Sequence, residues 1–321
     1  MGSDSHYQIP TIDLSTSSAK LARGTEKWFS LCKRVREACE NYGFFELVYD
    51  KIPLELSAES FSVTREFFSL PLETKKQDVN PKSFHGYYGQ HPVAPLYESF
   101  AIEDASNYES LTSFTEKMWP DGHDQFLNTV IGMVNKLDEL HEMIEMMILD
   151  SYGLGENQDS IMACETKLRV SRYGLPPSGE YVNGLNAHTD KQLTAILCDD
   201  QVSGLEFETK DKSQWIKLSL PPSSFVFIVG DSLMAWSNGR MHSAKHRVMM
   251  CGEKERYSLG VFAIPVEGTI IKAPKELVDE EHPQLFKDFE YMDFTKYSTS
   301  EEAMAAAESA MHIWSFAGIS S

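Results

Sequence analysis

Eight short apolar runs decide how this chain folds: LRVSRY (168–173), LTAILC (193–198), GLEFET (204–209), WIKLSL (215–220), SFVFIVG (224–230), HRVMM (246–250), YSLGVFAI (257–264) and TIIKA (269–273). β-Branched and aromatic residues dominate them, and turn-forming residues separate them at roughly 10-residue spacing. That punctuation predicts an all-β sandwich or barrel rather than an alternating βαβ array.

Working outward, the chain before this block reads as largely helical. Ile9 to Leu14 (IPTIDL) predicts a short extended segment closed by the polar run STSS. Trp28, Leu31, Val35 and Ala38 recur at helical spacing across residues 25–41, with Gly43 as the stop. Phe44 to Tyr49 (FFELVY) fits a buried strand, and a second helix is expected from near Pro53 to near Pro71. Residues 80–110, rich in Pro, Gly, Tyr and Ser, are expected to be irregular and to offer a binding surface. From 123 to 152 the Leu, Ile, Val and Met positions predict a long amphipathic helix ending at Gly153. Beyond the β block, EEAMAAAESAMHIW predicts a terminal helix, which would make a lid.

The expected fold class is α+β: a double-stranded β-helix (jelly-roll, cupin-like) with N-terminal and C-terminal helices packed on it. Residues 1–120 form the mixed helical cover, and 121–321 hold the long helix, the β-helix and the C-terminal helix. The two parts are expected to share one core.

Composition narrows the function. The 321 residues carry a formal charge of −19, and an acidic surface disfavours nucleic acid and anionic membranes as partners. Five scattered cysteines, Cys32, Cys39, Cys164, Cys198 and Cys251, form no CxxC pair and suit a reducing compartment. No apolar stretch is long enough to span a bilayer, and MGSDSHYQIP lacks the features of a secretory signal. Gly2 invites myristoylation, but His6 stands where Ser or Thr is needed. A cytoplasmic monomer is expected.

The strongest chemical signal is NAHTDKQLTAIL followed by SAKHRVMM. His188 and Asp190, separated by one residue, point to the same side on a strand or its end. His246 follows 56 residues after Asp190, in another strand-like run. Two imidazoles and one carboxylate make the facial triad that leaves positions open on a non-haem Fe(II). H-x-D alone is weak, because most such triplets are turns or helix caps. Ten residues past His246 come Arg256 and then Ser258, which share one strand face and offer a bidentate cation and a hydroxyl to a carboxylate. Tyr173 supplies a further hydroxyl.

With these motifs in order, the sequence resembles the plant 2-oxoglutarate-dependent dioxygenases, from IPTIDL and GFFELVYDKIP through FFSLPLETK and LRVSRYGLPP to HTDKQLTAIL, GLEF, WIKLSLPPSSFVFIVGD, HRVMM and RYSLGVF. YDKIP and KELVDEEHPQLFKDF are similar to the AOP-type branch, which holds glucosinolate side-chain oxygenases, and to steroidal-alkaloid hydroxylases. The resemblance implies that His188, Asp190 and His246 ligate iron, and that Arg256, Ser258 and Tyr173 hold 2-oxoglutarate. It aligns Phe262 with a position whose ring packs on an aromatic substrate in some members, and the residue reads equally as core. Ser171 and Arg172 stand where an Asn-Tyr pair is usual. The presence of Asp190 speaks against the halogenating variants.

The implied reaction consumes O2 and 2-oxoglutarate, releases succinate and CO2, and hydroxylates, desaturates, dealkylates or cyclises a hydrophobic small molecule of plant specialised metabolism. Ascorbate would support it. Candidate substrate contacts are Tyr87, Tyr88, Tyr97, Phe100, Trp236 and Phe262. The alternatives are an iron oxidase that uses no 2-oxoglutarate, a jelly-roll ligand carrier with a relic site, and a zinc hydrolase on the same ligands.

Overall fold

A computed structural model of the chain describes residues 8–15, 21–78, 85–92, 94–156, 163–177, 180–306 and 312–319. Residues 1–7, 16–18 of the STSS run and 307–311 of the Ala-rich run lie outside the described residues.

Strand β1 (Thr11–Asp13) pairs in parallel with β2 (Phe44–Val48). Between them runs α1 (Glu26–Asn41), whose first turn is capped by Thr25 Oγ1 accepting from Trp28 N at 3.2 Å. Trp28, Leu31, Val35 and Ala38 are all buried, as their spacing requires. Gly43 then turns the chain at φ +77°, where a Cβ would stand 2.1 Å from the His242 carbonyl oxygen. Only glycine fits that turn. Helices α2 (Leu54–Ser69) and α3 (Leu72–Lys75) follow.

The described part of the segment expected to be irregular is largely ordered. It contains β3 (Tyr88–His91) and β4 (Ala94–Ile102), and α4 (Tyr108–Met118) begins within it. Pairing in register with a neighbouring strand overrides the turn-rich composition, because each paired residue satisfies its backbone groups. The long helix α5 (Asp124–Ser151) then packs against α1, α2 and α4.

The β block supplies β5 (Cys164–Tyr173), β6 (Val182–His188), β7 (Thr194–Asp199), β8 (Leu205–Glu208), β9 (Trp215–Lys217) and β10 (Ser224–Val229). After α6 (Asp231–Trp236) come β11 (His246–Met250) and β12 (Arg256–Pro265). They form an eight-stranded sheet, β1-β2-β10-β7-β12-β5-β4-β3, and a four-stranded sheet, β6-β11-β8-β9. This is the jelly-roll architecture. TIIKA does not join the block: only Ile270–Ile271 is extended, as β13, and it pairs with β14 (Phe289–Glu290) apart from both sheets. The chain closes with α7 (Tyr291–Ser298), α8 (Glu301–Ala306) and α9 (His312–Ala317).

The period of two along the strands divides the large sheet into two faces. Leu168, Val170, Ile196, Leu259 and Val261 join α1, α2 and α5 in one apolar cluster that also takes in Ile12 and Phe67. Fully burying each such side chain contributes about 1.5–3 kcal/mol. Tyr173, Ala195 and Phe262 face the other way, into a second cluster with Phe44, Phe207 and Val248. That second face builds the site.

Candidate active site

His188 ends β6 and His246 begins β11, and the antiparallel register sets them directly opposite each other. Their ring centroids are 4.4 Å apart. Asp190 Oδ1 lies 3.8 Å from Nε2 of each ring. The three donor atoms fall within 4.8 Å of one another, the only such His/Cys/Asp/Glu group among the described residues.

The donor set fits a divalent metal. Nδ1 of His188 donates to the Asn186 carbonyl at 2.8 Å, and Nδ1 of His246 to the Ala244 carbonyl at 3.1 Å. Each bond fixes the tautomer and turns the Nε2 lone pair toward Asp190. The protein around it, with the His246 ring second, pushes the His188 imidazole down to about 4, so it is neutral at physiological pH. Asp190 Oδ2 is buried without a hydrogen-bond partner, and such an atom calls for a ligand. Two imidazoles and a carboxylate with open positions suit non-haem Fe(II).

A second cluster of polar side chains lies on the large sheet. Across β5 and β12, Tyr173 pairs with Arg256 and Ser171 with Ser258. Burial raises the pKa of the Tyr173 hydroxyl, against which the Ser171 and Ser258 hydroxyls and Arg256 act. Arg256 is buried, with its guanidinium 5.3 Å from the centre of the Tyr173 ring. Ser171 therefore belongs to this polar cluster, whereas Arg172 faces the other way and pairs with Glu98 and Glu255.

The aromatic candidates divide. Tyr97 packs on Tyr173 at 5.3 Å and reaches Ser171, with 3.3 Å between the hydroxyl oxygens; Tyr88 packs on Tyr97 at 5.8 Å. Phe262, half-buried, shares the barrel-facing side of β12 with Arg256 and Ser258. Three others are elsewhere. Phe100 is fully buried among Phe67, Phe68 and Phe114 on the helical side. Tyr87 joins that same core and bonds to Glu98 at 2.7 Å. Trp236 sits in α6 at 1% exposure, within the main core. Aromatic composition does not say which face a ring occupies, and these three are packing residues.

Comparison with known proteins identifies the family. The profile of the 2OG-Fe(II) oxygenase superfamily matches residues 164–265, and that of the N-terminal region of non-haem dioxygenases in morphine synthesis matches 9–122. The chain is 41% identical over 313 residues to the probable 2-oxoglutarate-dependent dioxygenase AOP1.2 of Arabidopsis thaliana, covering 95% of each. It belongs to the 2OG-Fe(II) oxygenase superfamily. Within it, the chain is also 29% identical to the Arabidopsis 2-oxoglutarate-dependent dioxygenase AOP3, covering 98% of each. The rice dioxygenase for auxin oxidation superimposes with a TM-score of 0.79 at 29% identity, covering 97% of this chain and 100% of that one. The Arabidopsis enzyme for auxin oxidation, solved with 2-oxoglutarate, gives 0.77 at 27% identity, covering 86% and 100%. The protein is thus a 2-oxoglutarate-dependent dioxygenase whose cofactors are Fe(II) and 2-oxoglutarate. The relatives support this reading and not a 2-oxoglutarate-free oxidase or a relic carrier.

Several residues of the oxygenase escape sequence reading. GDS at 230–232 opens helix α6, and Asp231 is fully buried. Its carboxylate accepts from Thr189 Oγ1 at 3.0 Å, Lys191 Nζ at 2.9 Å and Ser243 Oγ at 2.7 Å. One acid therefore ties the segment around Asp190 to the one that leads into His246, a link no local spacing reveals. On β5, Lys167 pairs with Glu103 at 3.2 Å and Arg169 reaches Ser99 at 3.0 Å, both on the same side as Tyr173. The alternation of LRVSRY was the available signal. Tyr291, at the start of α7, is buried, and Cys164, Asp190 and Glu103 add to burial in raising its pKa. No helix among the described residues is long and apolar enough to cross a membrane.

Proposed function

We propose that His188, Asp190 and His246 hold the iron, that Arg256, Ser258 and Tyr173 hold the distal carboxylate of 2-oxoglutarate, and that the enzyme oxidises a hydrophobic small molecule of plant specialised metabolism. The observation that carries the site assignment is the convergence of Asp190, His188 and His246, with Oδ2 of Asp190 buried and unsatisfied. When bound, Fe(II) supplies the activation of O2 that couples decarboxylation of 2-oxoglutarate to oxidation of the substrate.

The chain's own residues do the rest. The two Nδ1–carbonyl bonds and Asp231 hold the ligands in place before any cofactor arrives. Arg256 gives a fixed, planar donor set for a carboxylate, and the hydroxyls of Ser258 and Tyr173 lie beside it. Phe262 and Tyr97 supply apolar surface on the same face, excluding water from the reacting centre. The solved relatives act on small molecules, among them auxin, which supports a substrate of that size. A soluble cytoplasmic monomer fits this reading, with residues 1–120 as cover and 121–321 as the catalytic domain.

The test is an anaerobic titration of metal-free protein with Fe(II) and then 2-oxoglutarate, following the weak visible charge-transfer band of the chelate. A band that Asp190→Ala and Arg256→Ala both abolish supports the assignment. Iron binding without a band, or a band in either variant equal to wild type, refutes it.

A further inference from the structure

Arg256 already has a carboxylate beside it. Its Nη2 lies 3.2 Å from Oδ2 of Asp199, and the two side chains are 4% and 5% exposed. Asp199 ends β7, directly across from Ser258 in the β7–β12 register. Acid, hydroxyl and guanidinium therefore occupy neighbouring places on one wall of the barrel. Oδ1 of Asp199 accepts from the Gln201 backbone N–H at 3.1 Å, which fixes the direction of the carboxylate. By contrast Nε of Arg256 is buried with no hydrogen-bond partner. A guanidinium carries five N–H donors, and leaving one buried and unmatched is unfavourable. Asp199 takes one edge of the fork, and Nε is left for a second acceptor.

We infer that Asp199 is an internal counter-ion for Arg256 that sets the affinity for 2-oxoglutarate, holding the co-substrate-free protein together while weakening the grip on the distal carboxylate. The inference rests on the clamp role proposed above for Arg256. In a buried site two carboxylates that share one guanidinium repel each other, and the first cancels much of the attraction felt by the second. Removing Asp199 leaves Arg256 buried and uncompensated until 2-oxoglutarate arrives, and a lone buried charge is strongly destabilising. The arriving co-substrate then becomes the only counter-ion. Stability and affinity must therefore move in opposite directions. Burial already raises the Asp199 carboxyl pKa against the opposing pull of Arg256, so desolvation outweighs the pairing. A residue that merely aimed Arg256 would behave differently, since its loss would weaken both stability and binding.

The experiment measures equilibrium binding of two probes to anaerobic, Fe(II)-loaded wild type and Asp199→Asn, together with the melting temperature without co-substrate. The probes are 2-oxoglutarate and 2-oxopentanoate, which shares the keto-acid end and ends in a methyl group. Asp199→Asn is expected to melt lower, to bind 2-oxoglutarate about tenfold more tightly, and to bind 2-oxopentanoate as wild type does. Asp199→Ser, smaller and also uncharged, carries the same expectation should the asparagine variant not fold. Unchanged or weaker 2-oxoglutarate binding in the variant overturns the inference while leaving the clamp intact. If wild type itself fails to prefer 2-oxoglutarate over 2-oxopentanoate, the clamp reading falls, and this inference with it.

Discussion

The two faces of strand β12 carry different burdens. Tyr257, Leu259, Val261 and Ala263 lie in the apolar cluster with the helices, whereas Arg256, Ser258, Gly260 and Phe262 look into the barrel. The first set fills volume. The second leaves room and supplies polar groups, with Gly260 taking the place where a Cβ would lie 1.9 Å from Leu197. The same division runs along β5, where Leu168 and Val170 pack while Lys167, Arg169, Ser171 and Tyr173 face the site. One backbone thus serves two demands because its side chains alternate, so damage to each face should be separable.

The largest effect belongs to the site face. Asp190→Ala should lower turnover by at least about 100-fold while the melting temperature of the metal-free protein changes little; steady-state rates with paired thermal melts check this. Next, Arg256→Gln should raise KM for 2-oxoglutarate by about 100-fold and also lower stability, because Asp199 stays buried without its cation. A KM within twofold of wild type would remove Arg256 from the site. On the helical face, Leu259→Ala should cost about 2–5 kcal/mol of stability with KM for 2-oxoglutarate unchanged. Denaturant melts and KM measured side by side would break the comparison if that variant lost affinity instead.

The smallest effect concerns Glu145 on α5. Burial, with Glu142 and Asp138 adding repulsion, pushes its carboxyl from 4.5 up to about 7. A carboxyl whose pKa is raised by folding favours the folded state only while protonated, so its contribution is lost as pH rises from the unfolded value through 7. Glu145→Gln should therefore stabilise the protein at pH 8 by about 2 kcal/mol, with the gain vanishing near pH 4. Melts across that range test the sign.

Local pattern made much of this legible. Helices α1, α2 and α5 follow from apolar spacing with stop signals, and seven of the eight apolar runs became strands of the two sheets. The eighth, TIIKA, went to a separate two-stranded pair, because composition cannot choose a strand's partner. For the same reason Tyr88–His91 and Ala94–Ile102 read as loop, although pairing of β3 with β4 and of β4 with β5 makes them strands. At the candidate site, R-x-S was readable since residues two apart on a strand share a face, whereas Asp190 lies just past the end of β6. Phe100, Tyr87 and Trp236 were misplaced because the facing of a ring depends on which neighbours cover it.

The sequence alone determined the alternation, the helical periods, the donor types and the family these spell out, since each is a property of near neighbours along the chain. Only the tertiary structure decided that His246 stands opposite His188, that Asp231 ties both ligand segments together, and that Asp199 shares Arg256. Each of these joins residues from different strands or segments, and strand register, not sequence spacing, brings such groups within hydrogen-bonding distance.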